Sequence, residues 1–178
     1  MMGRGTGGYG GGGPRSGGGQ SGPRVGGGFD RPAWEMPAID VDKIGNVIRN
    51  DDPELLVTLA NDHGKHLAEA KLATSQIRGI FGAVRAMESR WASLKDGDER
   101  TADIRAGRRA LLLLKPKLAY QAVRHRPTRP TDPQPVALLK ALLEPAIGAV
   151  GDDPERFRRF LEFFEALLAY HKHWGGRD

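Results

Sequence analysis

The sequence contains no cysteine. Thiolate zinc sites, iron–sulfur clusters, cysteine nucleophiles and disulfide frameworks are therefore excluded, which is typical of a cytoplasmic protein. The sequence also lacks the run of about 18 apolar residues that a membrane span requires, and it lacks the short apolar core of a signal peptide. These absences predict a soluble, cytoplasmic protein whose fold depends on an apolar core.

Alternating apolar and polar runs, which are typical of β-strands, are missing as well. From Pro37 onward the apolar residues recur at steps of three and four, which predicts amphipathic helices. Asp52-Pro53 and Asp153-Pro154 are predicted helix starts, because aspartate caps the first turn and proline lacks an N–H that would stay unbonded there. We therefore expect an all-α fold, a compact bundle of about five helices.

Prolines interrupt this helical pattern twice. The long helical run that ends near His125 contains Pro116, which removes a backbone hydrogen bond and clashes with the preceding turn, so we expect a break near residues 112–115. The segment Pro127–Pro135 holds four prolines and is predicted to be a loop. Gly79 and Gly82 lower the helix propensity of their segment, and we interpret them as positions of close helix packing.

Glycine dominates the segment Met1–Phe29. This composition cannot bury enough apolar surface to offset the entropy lost on ordering. We therefore expect a disordered Gly/Arg-rich tail over residues 1–36 and a helical bundle domain over residues 37–178. Arginines and a tyrosine among the glycines are typical of tails that contact single-stranded RNA, and the alternative interpretation is a plain linker.

The charges are segregated along the chain. The net charge is only +5, but the segment Arg100–Arg129 has nine basic residues and one acid, Asp103. The segment Glu35–Lys71 has eight acids and four bases. Such segregation indicates a face that meets a polyanion, and the alternative is a basic helix face that only interacts with water.

The basic segment contains four residues at helical steps of three and four, so they share one face of a helix. Cations, an amide and an aromatic ring on one face suit phosphate contacts with stacking or a bond to ribose. Further cations flank this face. The candidate RNA-binding residues here are Lys115, Lys117, Tyr120, Gln121, Arg124 and Arg126. Alternatively, Tyr120 lies at the edge of the core and the cations only keep the protein soluble.

A second candidate is the predicted helix start at Thr74 or Ser75. The free N–H groups at a helix N-terminus suit a phosphate, and Gln76 and Arg78 would add side-chain contacts to RNA. The alternative is an ordinary N-cap with no ligand.

The sequence offers no catalytic or metal-binding constellation. His63 and His66 share a helix face near Asp62, but no further ligand is evident, so we expect no metal site. None of the five histidines follows an arginine by five to seven positions, the spacing of a common class of helical ribonucleases. Paired acids and a phosphate loop are also missing. We expect no enzyme activity and no cofactor.

Three stretches together resemble a known family. They are TSQIRGIFGAV at 74–84, LKPKLAYQAVR at 114–124 and RFRRFLEFFEALLAYHK at 156–172. In their order and spacing they resemble the small helical subunit of type III-A CRISPR (Csm-type) effector complexes, over about residues 50–175. The Gly/Arg-rich tail is not part of the family pattern.

The resemblance implies a role in antiviral defence. It implies several copies of a helical bundle along a filament of backbone subunits, bordering the groove where target RNA pairs with CRISPR RNA. The partners are then both RNAs, the backbone and large subunits and neighbouring copies, with no membrane. Target cleavage belongs to the backbone subunit, and cyclic-oligoadenylate synthesis and DNA cleavage belong to the large subunit. The alternative function is a helical protein–protein interaction module without RNA contact.

Overall fold

The structure is a computed structural model that describes Gly8 and residues 33–92 and 98–176. The described residues form helices and no strands, so the predicted all-α fold is confirmed. The disorder predicted for residues 1–36 lies largely outside the described residues. The helices are α1 Val41–Asn50, α2 Pro53–Glu69, α3 Thr74–Ala92, α4 Asp98–Leu112, α5 Leu114–Arg124, α6 Pro135–Val150 and α7 Pro154–His173.

The described chain has seven helices, not about five. The long basic run is two helices, because the chain breaks at Leu113, three residues before Pro116 and within the segment where a break was expected. The short stretch at 41–50 is a capped helix of its own, in which the side chain of Asp40 accepts a hydrogen bond from the Lys43 N–H at 3.0 Å.

Capping aspartates set the starts of two long helices, as predicted. Asp52 accepts a hydrogen bond from the Leu55 N–H at 2.9 Å, and Pro53 is the first residue of α2. Asp153 accepts from the Glu155 N–H at 2.9 Å at the start of α7. Each carboxylate satisfies a backbone donor that the helix itself leaves unbonded.

Helix α6 lies at the centre of the bundle. Ten of its 16 residues are buried, so it is apolar on nearly every side and has to be enclosed by other helices. It contacts α1, α2, α4, α5 and α7. The aromatic side chains of α7 complete the core, where Phe157 stacks on Trp91 of α3 with ring centroids 4.8 Å apart.

The glycines of α2 and α3 have different surroundings. A Cβ on Gly64 of α2 would lie 2.6 Å from Cβ of Tyr170 and 2.9 Å from the backbone nitrogen of His171 in α7. A Cβ on Gly79 or Gly82 of α3 would meet no atom within 4 Å. The interpretation of Gly79 and Gly82 as close-packing positions is therefore wrong, and Gly64 is where two helices approach closely.

The described residues from Ala33 onward belong to one compact unit. Trp34 packs against its core, and the Trp34 N–H donates a hydrogen bond to the Thr131 carbonyl oxygen at 3.1 Å. This contact ties the segment before α1 to the proline-rich loop before α6. The domain start at residue 37 stays a prediction. Trp34 lies before that boundary and already packs against the core.

We expect Gly64→Ala to destabilise the fold by about 1–3 kcal/mol, because the added methyl group overlaps backbone atoms of α7 that cannot move independently. The matched control is Gly82→Ala, which adds the same group on open surface of α3 and should stabilise by up to about 1 kcal/mol. Urea unfolding of both variants measures the two effects. Equal stability of Gly64→Ala and the wild type would contradict the close approach of α2 and α7.

We also expect a chain that begins at Pro37 to fold as a helical domain, but with lower stability than a chain that begins at Ala33. The shorter chain loses the half-buried Trp34 side chain, which corresponds to about 1 kcal/mol or more of apolar burial. Circular dichroism melting of the two chains tests both points. Identical melting curves would show that Trp34 does not stabilise the domain, and loss of cooperative melting would show that residue 37 is the wrong boundary.

Candidate nucleic-acid interface

Helix α5 presents the predicted polar face to solvent because its opposite face is in the core. Leu114 and Leu118 are buried, and α5 contacts α6. With 3.6 residues per turn, Lys117, Tyr120 and Arg124 then lie on the outside. Lys117 and Arg124 are exposed, and Tyr120 is 63% exposed. The interpretation of Tyr120 as a residue at the core edge therefore does not fit this exposure.

The N-terminal turn of α3 faces the same region. Gln76 and Ala73 bond reciprocally: the Ala73 N–H donates to Oε1 of Gln76 at 2.9 Å, and the Gln76 N–H donates to the Ala73 carbonyl oxygen at 2.9 Å. The first of these bonds is the half of a capping box that the Glu or Gln side chain supplies. The side-chain oxygen of Gln76 is thus a cap, while its amide NH₂ group keeps two donors for another partner.

The two helices enclose a groove of about 650 Å³. Five of the eight predicted RNA-binding residues line it, together with residues that the sequence patterns did not single out. We call this cavity the α3–α5 groove. Its lining residues are Ser75, Gln76, Gly79, Ile80, Pro116, Lys117, Tyr120, Gln121, Arg124 and His125.

Three predicted residues do not line the α3–α5 groove. Arg78 is exposed on another side of α3, and Arg126 is exposed beyond the end of α5. Lys115 is half-buried and extends toward α6, where its Nζ lies 3.6 Å from the position of a Cβ on Gly148. A role of Arg78, Lys115 and Arg126 in RNA binding stays a prediction.

Helical spacing contains a signal for the lining residues that the sequence reasoning missed. Ser75 and Gly79 are four residues apart, as are Gln76 and Ile80, so these positions share one face of α3. That face excludes Arg78. Val123 of α5 is apolar and 73% exposed.

The groove carries uncompensated positive charge. None of the described residues that line it is acidic, and neither Lys117 nor Arg124 pairs with a carboxylate of the described residues. Some arginines elsewhere are paired: Arg108 lies 2.9 Å from Asp152, and Arg158 lies 2.6 Å from Glu162. A groove with free cations and no acid attracts an anion.

One histidine of α2 and one of α7 are buried in the core. His63 and His171 are 5% and 2% exposed. Nε2 of His171 donates a hydrogen bond to the Leu72 carbonyl oxygen at 2.9 Å. Burial lowers the pKa of His63, as does the nearby His66, with Asp62 acting in the opposite direction. Burial also lowers the pKa of His171, against the effect of its bond to Leu72.

The described part of the chain holds no group of three or more His, Asp or Glu side chains that could bind a metal ion. None of the helices described there has both the length and the apolar character needed to cross a membrane.

The fold and the groove define an all-helical protein with an uncompensated basic face. The model of the Csm2 Type III-A family matches residues 50–177, which include all of α2 to α7 and the whole α3–α5 groove. The chain belongs to this family, and it is therefore a small subunit of a type III-A CRISPR complex. Comparisons with curated proteins and with solved structures each gave no match.

We expect the stability of the fold to fall as the pH drops from 7.5 to 5.5. The pKa values of His63 and His171 are lowered in the folded state, so the unfolded chain binds protons first, near pH 6.5, and acidification favours unfolding. Urea unfolding at both pH values measures this change. The variant His63→Gln should show a smaller change between the two values, whatever its absolute stability. Constant stability across this range would contradict the buried, neutral state of these histidines.

Proposed function

We propose that the α3–α5 groove and its basic rim bind RNA backbone where target RNA pairs with CRISPR RNA. The observation that carries this proposal is the convergence of Lys117, Arg124, Tyr120, Gln121 and Gln76 on one groove without an acid. Cations contact phosphates, and amide and hydroxyl groups contact ribose, so such a surface recognises RNA without reading its sequence. Base pairing with the guide then supplies the specificity.

Membership of the Csm2 family supports the proposal that this contact occurs within a type III-A CRISPR complex. We propose that the chain works in the cytoplasm as part of an antiviral ribonucleoprotein, beside the backbone and large subunits and neighbouring copies of itself. The RNA contact is then strongest in the assembled complex, because several copies along one duplex raise the effective concentration of each site.

We propose further that the subunit does not catalyse a reaction. The arrangement of the histidines supports this: His63 and His171 are buried between helices, and His171 uses Nε2 to bond the backbone of Leu72. A general acid or base has to reach the substrate, which these buried rings do not.

A protein-interaction module is the second candidate function, and a separate surface favours it. Leu112 and Leu113 are exposed at the α4–α5 junction, and Val123 is exposed near the other end of α5. Exposed apolar side chains that lie close together mark sites of protein contact. In an assembled complex this surface and the groove serve different partners, so the two functions are compatible.

We expect the double variant Lys117→Ala, Arg124→Ala to lower the affinity of the reconstituted complex for target RNA, equally for unrelated guide sequences. Each lost phosphate contact reduces the slope of log affinity against log salt by about 0.7–0.9, so the slope should fall by roughly one to two. Binding of matched target RNA across a salt series measures both quantities. The subunit alone should leave the RNA intact.

The matched control is Lys43→Ala, Arg49→Ala, which removes the same two charges from α1 outside the groove and should leave the slope unchanged. If the groove variant assembles normally and binds like the wild type, the basic face is not an RNA contact. The protein-interaction function would then be the better account of the subunit.

A further inference from the structure

The α3–α5 groove is larger and more apolar than a phosphate contact requires. Its volume of about 650 Å³ is within the range of sites for small organic ligands, roughly 300–1,000 Å³. Gly79, Ile80 and Pro116 contribute apolar surface to its lining. Because a Cβ on Gly79 would meet nothing within 4 Å, the space beside this part of α3 is open. A phosphate alone would leave that apolar surface uncovered.

Tyr120 lies between the two cations along α5. Lys117 precedes it by three residues and Arg124 follows it by four, so the cations are separated by about 10 Å along the helix axis. A ring stacked on Tyr120 would therefore have a cation on each side. A nucleotide within a strand has this distribution of groups, with one base and a phosphate before and after it.

The amide side chains of the groove suit the edge of a base. Gln121 offers a donor and an acceptor, and Gln76 keeps its NH₂ donors because only its oxygen is used in the cap at Ala73. Amide groups form hydrogen bonds with the exposed edge of an unpaired base, whereas the same edge is occupied in a base pair. Two amides at one groove therefore favour an unpaired nucleotide over a paired one.

We propose that the α3–α5 groove holds one unpaired nucleotide of the bound RNA, with its base stacked on Tyr120 beside Gly79 and its flanking phosphates at Lys117 and Arg124. This inference rests on the proposed RNA-binding function and adds that the nucleotide in the groove is unpaired. Since both amides accept more than one base edge, the groove tolerates different bases.

The first test uses the full chain and two small probes, adenosine 5′-monophosphate and ribose 5-phosphate. Amide chemical shifts of Gly79, Tyr120 and Gln121 should move with adenosine 5′-monophosphate and much less with ribose 5-phosphate, which lacks the base. If both probes move the same signals equally, the groove binds phosphate only and the inference is wrong. If neither probe moves these signals, the inference is also wrong.

The second test compares Gly79→Leu, which fills the groove, with Gly82→Leu on the same helix. Both glycines are exposed with open space around them, and only Gly79 lines the groove. The binding partners are an RNA duplex with one bulged nucleotide and the same duplex with an abasic bulge. Wild type and Gly82→Leu should prefer the base-containing bulge by about fivefold or more, the factor expected for stacking one base on an aromatic ring.

Gly79→Leu should abolish this preference. The inference is overturned if the wild type shows no preference, if Gly79→Leu retains it, or if Gly82→Leu loses it too. The variant Lys117→Ala, Arg124→Ala distinguishes the backbone contact from the nucleotide site, because it should weaken binding of both duplexes. If it weakens both while Gly79→Leu retains the preference, the backbone contact stands and only the nucleotide site fails.

Discussion

The enclosure of α6 is the constraint on which the rest of the structure depends. A helix with ten of its 16 residues buried has little surface left for water, so five other helices pack around it. One of them is α5, which turns Leu114 and Leu118 inward and thereby turns Lys117, Tyr120 and Arg124 outward. The polar face of α5 is thus a consequence of how the core is built.

The second constraint is the close contact of α2 with α7. At Gly64 the two backbones approach so closely that there is no room for a methyl group. Buried His63 and His171 lie in the same two helices, and His171 bonds the Leu72 carbonyl oxygen just beyond the end of α2. Both rings fill this part of the core, which gives a structural role to two of the four histidines of α2 and α7.

The sequence predicted the helices well because their signals are local. Capping aspartates such as Asp52 and Asp153 act within one turn, and the effect of Pro116 is confined to the residues just before it. The structure has more helices than the roughly five expected, in part because the run expected to break near residues 112–115 forms two separate helices. The proximity of α3 and α5 could not be predicted in this way, since it depends on packing between residues about 40 positions apart.

In the candidate site, too, some features follow from local sequence and others only from packing between distant residues. The shared face of Lys117, Tyr120, Gln121 and Arg124 follows from helical spacing alone, whereas the addition of Gln76 requires the packing of α3 against α5. Lys115 shows where charge in the sequence misleads: it is basic and only two residues before Lys117, but its side chain extends toward Gly148 of α6. Charge in the sequence thus identifies a segment, and helical phase decides which of its cations are available.

Neither an RNA ligand nor a protein partner alone accounts for the exposed surface of α4 and α5. Free cations around Tyr120 suit RNA, but the exposed Leu112, Leu113 and Val123 would gain nothing from phosphates. Apolar side chains in water are stabilised by another apolar surface, which a protein supplies. Tyr120 and Val123 are only three residues apart in α5, so the proposed RNA contact and a protein contact would adjoin along one helix.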